Sequence, residues 1–121
     1  MRVTVVGCAG SFPGPDSPAS CYLLEAEGFR LVIDLGNGAL GALQRYAGLF
    51  SIDAICLSHL HADHCIDLAA YWVARQYAPD GSLVYRFETA RNRGGRTRAR
   101  NETVTLRFAG GVLSKICRTR S

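Results

Sequence analysis

A chain of 121 residues has room for one small hydrophobic core, which excludes a multidomain architecture. Apolar residues at 48% and charged residues at 20% are ordinary for a soluble globular protein, and no stretch approaches the ~20 apolar residues of a membrane span. The net charge of +4 hides a split: residues 1–82 hold four basic residues against eight acidic ones, residues 83–121 ten basic against two acidic.

The first predicted element is a β-branched strand, Val3–Val6, followed by the loop GCAGSFPGPDSP, whose glycines and prolines forbid regular structure. CYLLEA and FRLVID, residues 21–26 and 29–34, read as two strands of a hairpin turning at Glu27–Gly28. Leu40, Leu43 and Ala47 are helically spaced and predict a helix ending near Gly48. The apolar run within residues 52–58 reads as a strand covered on both faces. A helix follows from Ile66 to about Tyr77, with Ile66, Ala69, Ala70, Val73 and Tyr77 on one side. Pro79, Asp80 and Gly81 form a turn at the charge seam. Beyond it, residues 90–101 are arginine-dense and irregular by composition, whereas TVTLRF alternates like a strand.

The N-terminal apolar run is too short for a signal peptide, and the five cysteines include no C-x-x-C pair. Reduced thiols and a cytoplasmic location are therefore expected.

All three histidines, His59, His61 and His64, fall within SHLHADHCID, residues 58–67. His59 and His61 are two apart, so in extended chain both imidazoles project to one side. Asp63 and His64 follow as the chain turns into the helix. Imidazole nitrogen and carboxylate oxygen are ligands that Zn²⁺ accepts.

H-L-H-A-D-H resembles the H-x-H-x-D-H signature of the metallo-β-lactamase-fold hydrolases. The buried strand before it, the helix after it and VIDLGNG upstream agree with that family. The opening VGCAGSFPGPDSPASCYLLE is similar in layout to the ribonuclease Z-like and cyclic-nucleotide phosphodiesterase-like branch. The resemblance covers residues 1–82 and implies an α/β fold: the N-terminal half of an αββα sandwich, a mixed sheet with helices, carrying an irregular basic tail over 83–121. It implies that His59 and His61 bind one metal and Asp63 and His64 a second, with Asp63 also accepting a proton. Asp34 matches a strand-end aspartate that orients a ligand or the histidine loop; a turn or helix N-cap aspartate is the less favoured reading. The intact family site holds two zinc ions and cleaves phosphodiesters or other esters by attack of zinc-bound hydroxide.

The family draws a further histidine, a bridging aspartate and a final histidine from downstream, yet no histidine follows His64 here. A partial site holding one ion, with impaired activity, is the expectation. The charge split and the lost ligands coincide at one boundary. They favour a truncated or out-of-frame reading of a longer hydrolase over a shortened protein with its own use for a basic tail. The rival function is a non-catalytic nucleic-acid-binding protein working through that arginine-rich tail. Gly36, Gly38 and Gly41 satisfy G-x-G-x-x-G, but the following strand ends in Ser58-His59 rather than a ribose-binding acid. These glycines are read as permitting a tight strand-to-helix turn near the metal site.

Overall fold

Glu27 and Gly28 both adopt positive φ, 50° and 79°, the pairing that a two-residue hairpin turn demands. The turn joins β2 (Cys21–Ala26) to β3 (Phe29–Ile33) in antiparallel register, with Leu23 opposite Val32. β1 (Arg2–Gly7) pairs antiparallel with the other edge of β2, and β4 (Ala54–Cys56) pairs parallel with β3. The result is a four-stranded mixed sheet in the order β1-β2-β3-β4, with short helices α1 (Ala39–Leu43), α2 (Ala62–Cys65) and α3 (Leu68–Gln76). This computed structural model describes residues 1–79 with their side chains, and 82–93, 96–109 and 112–120 as backbone strands. Against the single core expected from its length, the chain divides into two compact units, Met1–Ala74 and Arg75–Ser121.

Alternation along the strands sorts the side chains onto two faces. Cys21, Leu23 and Val32 point inward and join Leu35, Ala39, Leu43, Ile52 and Tyr71 in one buried cluster. The opposite face is also apolar: Val3 and Val5 lie across from Leu24 and Tyr22, which in turn face Leu31 and Ile33. That face is poorly covered, with Val3 and Val5 both 54% exposed. Contiguous apolar surface of this kind promotes association. Replacing Val3 and Val5 together by threonine keeps β-branched residues in the strand. The pair is expected to lower light scattering by the full chain at equal concentration, with a stability change under about 1 kcal/mol. Unchanged scattering would exclude this face as the source of self-association.

Three expectations need correction. The strand near residue 55 is not covered on both faces. β4 is three residues long and terminates the sheet, with Cys56 exposed. The helix predicted over residues 38–48 is regular only through Leu43 and then continues in tight turns, although Leu43 and Ala47 are buried as their spacing implied. The apolar stripe assigned to the last helix faces outward, with Ile66, Val73 and Tyr77 49%, 52% and 70% exposed. Asp67 is responsible. Its N–H donates to the Leu35 carbonyl, and its carboxylate accepts from the Leu40 N–H at the start of α1. α3 therefore starts afresh at Leu68, and Leu68 and Tyr71 pack on the core instead.

In the second unit, β5 (Ser82–Arg93), β6 (Arg96–Ala109) and β7 (Val112–Arg120) form an antiparallel sheet. The irregular basic tail is thus extended, paired backbone over these spans, with Arg93 opposite Arg96 and Ala109 opposite Val112. Composition obscured the signal, because an arginine-dense, polar segment is ordinarily irregular. Asp80 and Gly81 of the expected turn lie outside the described residues, as do the side chains of the arginine-dense segment. Among the described residues, no helix is long and apolar enough to cross a membrane.

Candidate metal centre

Three stretches distant in sequence meet at the end of β3. Gly36 N–H donates to the Ser20 carbonyl, Ser20 N–H to the Asp63 carbonyl at 3.2 Å, and Leu35 N–H to the His64 carbonyl at 2.7 Å. These bonds clamp the histidine-bearing turn against the turn that follows β3. The fit is tight enough to require glycine at position 36, where a β-carbon would lie 2.0 Å from the Asp63 carbonyl oxygen. Gly38, at φ 76°, then starts α1. The glycines serve a strand-to-helix turn beside the histidines.

Asp34 occupies the centre. It is 3% exposed, in the left-handed region at φ 60°, which Asp tolerates better than most residues. It does not cap α1, whose N-cap position is Gly38. Its Oδ1 accepts the Ser58 backbone N–H at 2.7 Å. Its Oδ2 accepts the Ser20 and Ser58 hydroxyls, each at 2.9 Å, and faces His64 Nδ1 at 2.7 Å. Burial pushes the carboxyl's pKa up, but the bonds from His64, Ser58 and Ser20 outweigh it and hold the group at about 2. The same bond to Asp34, aided by the nearby Asp63 charge, raises His64 above the ordinary histidine value against the opposing effect of burial.

Asp34, His59 and His64 converge around Ser58, whose Oγ lies 3.1 Å from His59 Nδ1. The His59 ring sits 4.0 Å from that of His64 and 4.7 Å from that of His61, centroid to centroid. Asp63, in the first turn of α2, places Oδ2 3.2 Å from His64 Nε2. Two ligand atoms about 2.0–2.1 Å from one tetrahedral zinc stand about 3.3 Å apart, so this pair is spaced to share an ion. The buried carboxylate on Nδ1, leaving Nε2 for the metal, is the support that ligand histidines commonly have. The donors thus fit zinc in kind and as a pair, but among the described residues no three His, Cys, Asp or Glu side chains form a metal-holding group.

No motif in the sequence assigns a role to Ser20 or Ser58. Ser58 adjoins the first histidine, a signal available in the motif itself; Ser20 has none, because it reaches Asp34 only through folding. Cys8 and Cys56, which sit in or beside apolar strands, are exposed. Cys21 is buried, and burial with the charges of Asp34 and Asp67 pushes its thiol up to about 12, which leaves it unreactive.

The chain is 59% identical over 80 residues to an uncharacterised protein of Mycobacterium tuberculosis, covering 65% of this chain and 29% of that one. It is 38% identical over 76 residues to the probable metallo-hydrolase YhfI of Bacillus subtilis, covering 63% of this chain and 31% of that one. The crystal structure of the human tRNase Z short form superposes with a TM-score of 0.58 at 31% identity, covering 61% of this chain and 29% of that one. The chain therefore spans less than a third of the length of these curated relatives. The sequence model of the metallo-beta-lactamase superfamily matches from residue 14 to residue 115. With that match running over most of its length, this chain belongs to the metallo-β-lactamase superfamily.

Proposed function

We propose that the chain is the N-terminal part of a metal-dependent hydrolase that acts on phosphodiesters in the cytoplasm. Residues 1–82 supply part of the catalytic domain, and residues 83–121 are a basic segment appended to it. The observation that carries this reading is the pair His64 Nε2 and Asp63 Oδ2, 3.2 Å apart, with His64 held from behind by buried Asp34. In this reading His59 and His61 hold one ion, Asp63 and His64 a second, and Asp63 accepts a proton during turnover. A zinc ion held by these residues would supply a water of lowered pKa, about 7, as nucleophile at neutral pH. The protein's own part is orientation: Asp34 fixes the His64 ring, and the backbone bonds from Ser20 and Leu35 fix the turn that carries Asp63 and His64. The choice of phosphodiesters is supported by the likeness to tRNase Z.

Two protein ligands per ion fall short of the three that catalytic zinc ordinarily has. With both half-sites short of ligands, the full chain is expected to take up at most one zinc, recruited by His59, His61 and His64 together, and His61→Ala to remove most of that uptake in an equilibrium competition assay. Turnover of a generic phosphodiester should be close to background. Two zinc ions per chain with strong cleavage would show that the ligand set is more complete than proposed, and undiminished uptake by His61→Ala would remove His61 from it.

The excess of basic residues after residue 82 favours a second reading, nucleic-acid binding without catalysis. Salt-sensitive RNA binding by the full chain that survives His61→Ala and chelation would favour it.

A further inference from the structure

A neutral imidazole carries one proton, and the nitrogen without it is the one that can bind a metal. For His64 two carboxylates compete, and the choice falls to the shorter, more buried contact: Nδ1 faces Asp34 at 2.7 Å, whereas Nε2 lies 3.2 Å from the less buried Asp63. His59 does not reach Asp34; its Nδ1 lies 3.1 Å from Ser58 Oγ. The Ser58 hydroxyl has a single proton and three neighbours within range, Asp34 Oδ2 at 2.9 Å, His59 Nδ1 at 3.1 Å and, farther, His64 Nδ1 at 3.4 Å, whose own proton is directed at Asp34. An ionised carboxylate accepts a hydrogen bond roughly twice as strong as a neutral acceptor does, so the proton goes to Asp34. Towards His59 the hydroxyl can then only accept, and the His59 proton must sit on Nδ1.

We propose that Ser58 is a positioning residue that passes the orientation of Asp34 on to His59, so that one buried carboxylate sets the ring state of two histidines, His64 directly and His59 through the Ser58 hydroxyl. Both Nε2 atoms are thereby left as acceptors. Ser58 suits the role because its backbone N–H also binds Oδ1 at 2.7 Å, while the Ser20 hydroxyl binds Oδ2 at 2.9 Å from the bend before β2. The carboxylate is held by three donors besides His64 and does not turn with either ring. The functional meaning rests on the reading of His59 and His64 as ligands; the ring states themselves do not.

The test uses the full chain, free of metal, with ¹⁵N-labelled histidine at alkaline pH, where the imidazoles are neutral. Long-range ¹H–¹⁵N spectra are expected to show His59 and His64 protonated on Nδ1. Ser58→Ala should shift His59 towards the Nε2-protonated form and leave His64 unchanged, and Ser58→Thr should restore His59. A merely structural role would not move one ring selectively. His59 protonated on Nε2 in the unmodified chain overturns the proposal without need of any variant, as does a His59 signal indifferent to Ser58→Ala. Zinc competition supplies a separate readout: Ser58→Ala should weaken binding by about tenfold, with recovery in Ser58→Thr. A chain that binds no zinc but shows the expected ring states upholds the relay and sinks the metal reading.

Discussion

Gly36→Val is expected to destabilise the N-terminal unit by about 3 kcal/mol or more and to abolish zinc uptake with it. A side chain there would meet the Asp63 carbonyl oxygen at 2.0 Å, the carbonyl carbon at 2.7 Å and the Ala19 β-carbon at 2.8 Å. Two of these atoms are backbone, so no rotamer change relieves the clash. To accommodate it, the turn bearing Asp63 and His64 must move, which breaks the bonds from Ser20 N–H and Leu35 N–H. Gly41→Ala is the control. It lies within α1 with nothing within 4 Å of the added carbon, and should stabilise by roughly 0.5–1 kcal/mol. Urea titration of both variants measures the contrast. A Gly36→Val protein as stable as the parent would mean that the two turns are not packed together.

Asp34→Ala is expected to have an effect of similar size, for an electrostatic reason. The substitution strips the acceptor from the Ser20 hydroxyl, the Ser58 N–H and hydroxyl, and His64. Each buried donor left unpaired costs about 1–3 kcal/mol, and alanine adds strain at φ 60°. The loss should be about 3 kcal/mol or more. Asp34→Asn is expected to be milder. With its oxygen in the Oδ2 position it keeps the acceptor of three bonds, and only the Ser58 N–H then meets an amide NH₂.

Acid titration separates charge from shape at the same position. The Asp34 carboxyl sits at about 2 in the folded protein against an ordinary 3.8. A lowered carboxyl stabilises the fold fully above its unfolded value and loses that contribution as the pH falls through the folded one. The parent chain should therefore lose about 2 kcal/mol between roughly pH 4 and pH 2 from this group. Asp34→Asn, with nothing to titrate, should lack that part of the decline. Parallel acid curves for the two proteins would show that Asp34 is not held by its donors.

The features legible along the chain are those whose signals neighbouring residues carry. Period-2 alternation and the Glu27–Gly28 pair were enough for β1, β2, β3 and their hairpin, because strand faces and turn geometry are properties of contiguous chain. The proposed metal donors stand out in the sequence because His59, His61, Asp63 and His64 lie within six positions. The apolar stripe on the last helix was real, but periodicity reports only that a face exists and not which neighbour meets it. Asp67, bonded to Leu35 and Leu40, restarts the helix and turns the stripe outward. The strand at residue 55 was apolar enough for an interior position, and only the pairing order placed it at the sheet edge. The support of the histidines was decided by tertiary structure alone. Ser20 and Ser58 stand 14 and 24 residues from Asp34, and no local pattern marks two serines as donors to one carboxylate until folding removes water and leaves them as its partners.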